Sequence, residues 1–403
     1  MNERISKGSA YMIAKEIEQN LTQSSWIRKM FEEGQRLKSI HGTENVFDFS
    51  LGNPIIDPPA SYFEQLRAYA NAPIPGGHSY IPNQGLPEAR QKVAEHMNGR
   101  FNTNITAQTV TMTSGAAGAL NVALKSIMNP GDEVIIFTPY FAEYKFYVGN
   151  ANGVTVYCPL AEDFTFDFNE LEKAISPKTK AIILNNPHNP TGQLIPQSDL
   201  ERLNQYLVAK EQEWGTEIHV LYDDPYSQLI YDGNVPNPFA AIERLFYISS
   251  FSKDLGLAGE RLGYLAIRPD FPSVEQYMAA FVFANRTLGF GNATVTVQRM
   301  ISKMDTLTQE QHEYKKRRDA MVQVLEDAGF EFVYPKGGFF IFPKSPIADD
   351  TKFCQVAAEE FQLLVVPGIG FGRAGHFRLS YSVSMEQIER SAPVLKKLKS
   401  YFS

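Results

Sequence analysis

Cysteine is scarce in this chain: Cys158 and Cys354 are the only two in 403 residues, and no paired spacing or Cys/His cluster surrounds them. A disulfide framework and a zinc site are therefore not expected, and a reducing compartment such as the cytoplasm fits. A basic excess is missing too. The net charge is -7, with 38 Lys and Arg against 45 Asp and Glu, which argues against a nucleic-acid or anionic-membrane partner. No apolar run approaches the roughly eighteen residues of a membrane span, and the first residues lack the apolar core of a signal peptide. Internal repeats and low-complexity segments are absent as well. What remains is an ordinary globular composition, 43% hydrophobic and 21% charged, in a chain long enough for two or three packed domains acting on small molecules.

Residues 1–45 carry a helical, amphipathic pattern, with Trp26, Ile27, Met30 and Phe31 spaced to share a face and Gly34 and Gly42 as expected breaks. Residues 46–54 alternate like a short strand and run into turns at Pro54, Pro58 and Pro59. From about residue 105, short apolar strands alternate with helical stretches, the pattern of a parallel α/β sheet. Four apolar runs, 133–137, 181–184, 218–222 and 245–248, each stop at polar residues. Ligands of open α/β sheets bind beyond the carboxyl ends of the strands, so these four ends should meet at one crevice. The run 261–267 follows too soon for a crossover and should pair antiparallel with the strand before it.

A long helical stretch is expected over 272–330, in which Lys315, Lys316, Arg317 and Arg318 read as a solvated face. Strand-like runs at 332–333, 338–342 and 377–381, with helices near 351–361 and 385–401, then suggest a smaller α+β domain. The expected division is an arm or part of the small domain over 1–45, a large domain over 46–295 and a small C-terminal domain over 296–403.

Chemistry concentrates at the strand ends. Lys253 sits in a Ser- and Gly-rich turn after an apolar strand, with Arg261 eight residues on. An ordinary lysine, with a pKa of ~10.4, is a poor nucleophile at neutral pH, whereas one beside another cation or held as a Schiff base can do carbonyl chemistry. The small-residue stretch 113–120, expected to lead into a helix over 119–128, is either a phosphate cradle or a plain Gly-rich helix start. The loop 185–192, stiffened by Pro187 and Pro190, either presents Asn189 to a ligand or is only a rigid turn, and His188 within it is expected to be solvated.

Asp223 ends an apolar strand, where an ionised group is costly without a positive partner. A ligand ring nitrogen would serve, with Tyr226 nearby; a structural Asp–Tyr pair is the alternative. Arg378, on another apolar strand, either pairs with a protein acid or waits for a ligand carboxylate, which it can grip through two parallel hydrogen bonds. Gly370, Gly372 and Gly375 match G-x-G-x-x-G, but a strand rather than a helix follows, so the dinucleotide-binding context is missing.

Taken in order, Asn189-Pro190-Thr191-Gly192, Asp223 with Tyr226, and Ser252-Lys253 with Arg261 and Gly263 resemble the class I/II aminotransferases, the aspartate-aminotransferase-like branch of fold type I pyridoxal-phosphate (PLP) enzymes. The resemblance runs from about Gly52 to Tyr381. It implies an α/β fold with a large domain built on a mostly parallel seven-stranded sheet plus a smaller α+β domain. It implies pyridoxal 5′-phosphate as cofactor, with Lys253 as the Schiff-base and proton-shuttling lysine, Asp223 on the pyridine nitrogen, and Tyr226 and Asn189 on the ring hydroxyl. Ala116, Ala117, Ser250 and Arg261 would hold the phosphate, Phe141 would stack on the ring, and Arg378, Gly52 and Asn189 would receive the substrate carboxylate. Tyr80 resembles the tyrosine that reaches the neighbouring subunit's phosphate, which implies a homodimer.

Ala117 stands where some members carry a hydroxyl, and Arg286 lies near the place that sets dicarboxylate specificity in others. The expected activity is transfer of an amino group from an L-amino acid, aspartate first, to a 2-oxo acid such as 2-oxoglutarate. Alternatives are an aromatic or other amino-acid aminotransferase, a PLP-dependent β-lyase, a non-catalytic PLP-binding regulator and, on the glycine motif alone, a nucleotide-binding dehydrogenase.

Overall fold

The computed structural model describes residues 13–22, 26–309 and 312–402. A short strand, Phe47–Asp48 (β1), precedes the main sheet. That sheet comprises Val110–Thr113 (β2), Glu133–Thr138 (β3), Val154–Pro159 (β4), Thr179–Asn185 (β5), His219–Asp223 (β6), Leu245–Ser250 (β7) and Gly263–Ala266 (β8), in the order β2-β8-β7-β6-β5-β3-β4. Neighbours from β4 to β7 are parallel. β8 runs antiparallel to both β2 and β7, as the short connection after Lys253 requires.

Alternate residues of the central strands enter opposite cores. Ile135, Ile182, Val220 and Leu245 face one, and Ile136, Ile183, Leu221 and Phe246 the other. Helices cover both faces, so these strands read as continuous apolar runs rather than alternating ones. Because β3, β5, β6 and β7 are parallel neighbours, the polar residues that end them lie along one edge.

The C-terminal part adds Phe340–Ile341 (β9), Leu363–Leu364 (β10), Val366–Pro367 (β11) and Phe377–Ser380 (β12). β9 and β11 flank β12 antiparallel, β10 pairs parallel with β1, and the helices Asp350–Phe361 and Met385–Tyr401 pack around them on a third core. Segment 47–52 is thereby threaded along these strands, with Phe49 N–H bonded to the Leu364 carbonyl and Ser380 N–H to the Phe49 carbonyl, both at 2.9 Å.

Several expectations are revised. In the N-terminal region, where residues 1–12 lie outside the described residues, the helices are Lys15–Thr22 and Trp26–His41. Gly34 does not break the second one; a Cβ there would sit 2.9 Å from Leu364 Cδ1, so the glycine serves close packing instead. Gly42, at φ 84°, does end it. The stretch expected to be helical over 272–330 is three helices, Val274–Thr287, Val295–Ser302 and His312–Ala328, with Gly289 and Gly291 at positive φ after the first. Residues 332–333 form no strand. Among the described residues, no helix is long and apolar enough to cross a membrane.

Candidate active site

The helix Gly115–Ile127 follows β2 directly. It begins four residues earlier than its sequence suggests, so Ala116 and Ala117 lie in its first turn, where backbone N–H groups lack intrahelical partners and the helix dipole favours an anion. Close approach explains the glycines here. A Cβ on Gly115 would lie 2.8 Å from Arg261 Nη2, and one on Gly263 would lie 2.6 Å from the Gly115 carbonyl carbon. The β2–β8 pairing sets Thr113 opposite Gly263 and so lays the exposed Arg261 over the helix start.

Beside this turn lies a cavity of about 380 Å³. Nine of the residues singled out from the sequence line it: Ala116, Ala117, Phe141, Asn189, Asp223, Tyr226, Ser250, Lys253 and Arg261. Lys253 Nζ donates to the Gly52 carbonyl at 2.6 Å. Burial, then the charges of Arg261 and Arg378, lower its pKa to about 8. More of the amine is thus unprotonated at neutral pH than in an ordinary lysine.

Asp223 is 4% exposed, and burial raises its carboxyl to about 7 against the opposing pull of a hydrogen bond from the Tyr144 hydroxyl to Oδ2 at 2.6 Å. Its other oxygen, Oδ1, is buried without a hydrogen-bond partner among the described residues. Arg378, on β12, is 2% exposed and meets no carboxylate among the described residues. Its Nη groups reach Asn189 Oδ1 at 3.1 Å and the Ser50 carbonyl at 2.7 Å, Nε is unpartnered, and Phe340 and Phe371 flank the guanidinium at 4.4 and 4.8 Å. Burial lowers its pKa to about 10, still cationic at neutral pH.

Tyr80 lies apart from these residues and is wholly exposed. Arg286 is also outside the cavity, exposed on the helix Val274–Thr287 with its guanidinium 5.4 Å from the Phe283 ring. His188 is not a solvated loop histidine: it is half-buried and bonded to Thr191 Oγ1 at 2.7 Å, and burial lowers it to about 4. Gly370 and Gly372 belong to a 3-10 turn, Gly368–Phe371, and its cap at the tip of the β11–β12 hairpin. Tyr144 escaped sequence reasoning. Its signal is its place one helical turn after Phe141, at the start of the helix Tyr144–Asn150.

A cavity-lining Asp223 with one oxygen unpartnered among the described residues, an anion-favouring helix start under Arg261, and an aromatic wall at Phe141 form one donor set. It suits a flat, cationic heteroaromatic ring that carries a phosphate, and pyridoxal 5′-phosphate has that chemistry. Among the described residues, no group of three or more His, Cys, Asp or Glu is arranged to hold a metal ion.

The profile of the family described as "Aminotransferase class I and II" matches residues 44–395. An aromatic-amino-acid aminotransferase 2 of Thermococcus litoralis is 30% identical over 93% of this chain and 95% of its own length. An aspartate aminotransferase of Pyrococcus abyssi is 30% identical over 94% and 96%. Among solved structures, an amino transferase from Eubacterium rectale superposes with a TM-score of 0.93 at 33% identity, covering 98% of this chain and 100% of that one.

Proposed function

The chain belongs to the aminotransferases of class I and II, and on that premise we propose that it transfers the amino group of an L-amino acid, with aspartate preferred, to a 2-oxo acid such as 2-oxoglutarate. The two half-reactions share one site in a ping-pong sequence. When bound, pyridoxal 5′-phosphate, the cofactor of this family, supplies the electron sink for the bonding electrons of the substrate Cα–H.

The chain's own residues bind, orient and move protons. Asp223, through Oδ1, holds a proton on the cofactor ring nitrogen, and the Tyr144 bond keeps that carboxylate turned toward the cavity. Lys253, with its lowered pKa, would take the proton from the substrate α-carbon and deliver it to the cofactor's C4′ carbon. Tyr226 and Asn189 bond the ring hydroxyl, and Phe141 stacks on the ring. The first-turn N–H groups at Ala116 and Ala117, with Ser250 and Arg261, take the phosphate. Arg378, with Asn189 and the Gly52 segment beside it, receives the α-carboxylate.

The observation that carries this reading is a pair of buried groups without a hydrogen-bond partner among the described residues, Asp223 Oδ1 and Arg378 Nε, with Asp223 lining the same cavity as Lys253 and the charge of Arg378 acting on its amine. Tyr80 and Phe283, both large and exposed, fit a homodimer in which Tyr80 of the partner subunit completes the phosphate contacts; light scattering tests that state. The division into an arm (1–45), a cofactor domain (46–295) and a small domain (296–403), and a cytoplasmic location, go with this reading.

A second reading, an aromatic donor, has its own observation: the Phe339 ring lies against the Lys253 amine and packs on Tyr226, and Phe340 and Phe371 flank Arg378. A panel of donors against 2-oxoglutarate separates the two, with aspartate expected to show the highest kcat/KM and phenylalanine or tyrosine overturning that preference if faster. With donor alone, a transaminase stops after one stoichiometric half-reaction. Continuous release of pyruvate and ammonia would instead establish a β-lyase.

A further inference from the structure

Two more buried acids lie against this site without a part in the proposed reaction. Asp224 and Asp254 are 3% and 4% exposed. Asp223, the last residue of β6, turns to the face where Tyr144 lies, and Asp224, just past the strand, turns to the opposite face, where it accepts the Tyr247 hydroxyl at 2.8 Å. Asp254 follows Lys253 directly. Its Oδ2 accepts the Ser227 hydroxyl at 2.5 Å, and its Oδ1 accepts the Gln228 backbone N–H at 3.3 Å. The Ser227 carbonyl in turn accepts from the Arg100 guanidinium. Asp254 therefore joins the helix that carries Lys253 to the turn that carries Tyr226.

The length of that helix explains why a joint is needed. Phe251–Asp254 is four residues, a single turn, and one turn is too short to sustain itself by backbone hydrogen bonds. Its cap is weak, with Ser252 N–H 3.4 Å from Ser250 Oγ, and Gly256 follows at φ 66°. The direction in which the Lys253 side chain leaves the backbone must be set from outside the helix. We propose that Asp254 is the positioning residue of Lys253: its carboxylate, through Ser227 and Gln228, fixes the amine relative to Tyr226 across the cavity. This rests on the reading of Lys253 as the reactive amine.

The test uses Asp254→Asn and Ser227→Ala, singly and together, in the full-length chain. Neither residue lines the cavity, and the serine change removes no charge. The readouts are the pH dependence of Lys253 acetylation by acetic anhydride in the cofactor-free protein, followed by peptide mass spectrometry, and kcat and KM of the loaded enzyme. A loosened turn lets the amine reach water, so its pKa should rise from about 8 by about one unit in both variants. The double variant should shift no further than either single one, and kcat should fall about tenfold while KM for the oxo acid changes less than about twofold.

Loss of a nearby negative charge alone would move the amine pKa down instead. A downward shift in Asp254→Asn, no shift in Ser227→Ala, or additive effects would overturn the proposal. Lys253 titrating like a surface lysine in the wild-type protein would instead overturn the reading of Lys253 itself.

Discussion

The Tyr144 hydroxyl donates to Asp223 Oδ2 at 2.6 Å and leaves Oδ1 of the same carboxylate without a partner among the described residues. The bond favours the ionised carboxylate, so Tyr144→Phe should raise the Asp223 pKa. The shift is read in the cofactor-free protein, where no ring cation holds the carboxyl down. A carboxyl NMR titration of both proteins checks this, and an unmoved Asp223 titration counts against the role of the bond.

Asp223→Asn should change how stability depends on pH before cofactor is added. In the cofactor-free fold the Asp223 carboxyl sits at about 7, against ~3.9 when unfolded, so the folded chain binds the extra proton. That contribution is present at low pH and is lost as the pH rises through about 7. Asparagine has no such proton to lose. The Tm of the variant minus that of the wild type should therefore grow from about pH 4 to about pH 7 and level off above it. Thermal unfolding of both proteins measures it, and a flat difference would contradict the assignment.

Arg378→Lys keeps the charge but loses the planar fork that grips a carboxylate through two bonds. KM for both the amino donor and the oxo acid should rise about tenfold or more, with a smaller loss in kcat. Steady-state kinetics with each substrate varied in turn decides this. An equal fall in kcat and kcat/KM would point to a role in the chemical step.

Arg318 has no exposed side-chain surface and donates to Asp232 and Asp319, each at 2.6 Å, and to the Pro335 carbonyl at 2.8 Å. Arg318→Ala should cost about 3 kcal/mol, the low end for a buried ion pair, because both carboxylate partners stay partly in water. Urea unfolding checks the figure. Arg318→Lys should recover less than half of it, because an ammonium cannot reproduce three donors in a plane.

The strand ends were legible because backbone geometry makes them so. A run such as 245–248, apolar at every residue, is what a strand covered on both faces requires, and Lys253 stands out because it follows one. Lys253, Asp223 and Arg378 could be named in advance for the same reason: each is a charge placed against apolar sequence. Tyr144 could not, since an aromatic residue in a helix is ordinarily core and only the fold brings its hydroxyl to Asp223. Nor could the Gly52 carbonyl, because backbone acceptors carry no residue signature. The run Lys315 to Arg318 misled, since four adjacent cations look solvated while helical geometry turns the last one inward onto Asp232.

β8 reverses direction between β2 and β7. Its first residue therefore returns to the edge that β7 has just left, and Arg261 comes back within reach of the turn that holds Lys253. Surface connections usually tolerate added residues. The stretch 255–262 should not, because its length is the ruler that sets the amine apart from the phosphate anchor. A single inserted glycine there is expected to leave the sheet intact and yet abolish cofactor retention, so that the fold would accept an insertion that the site would not.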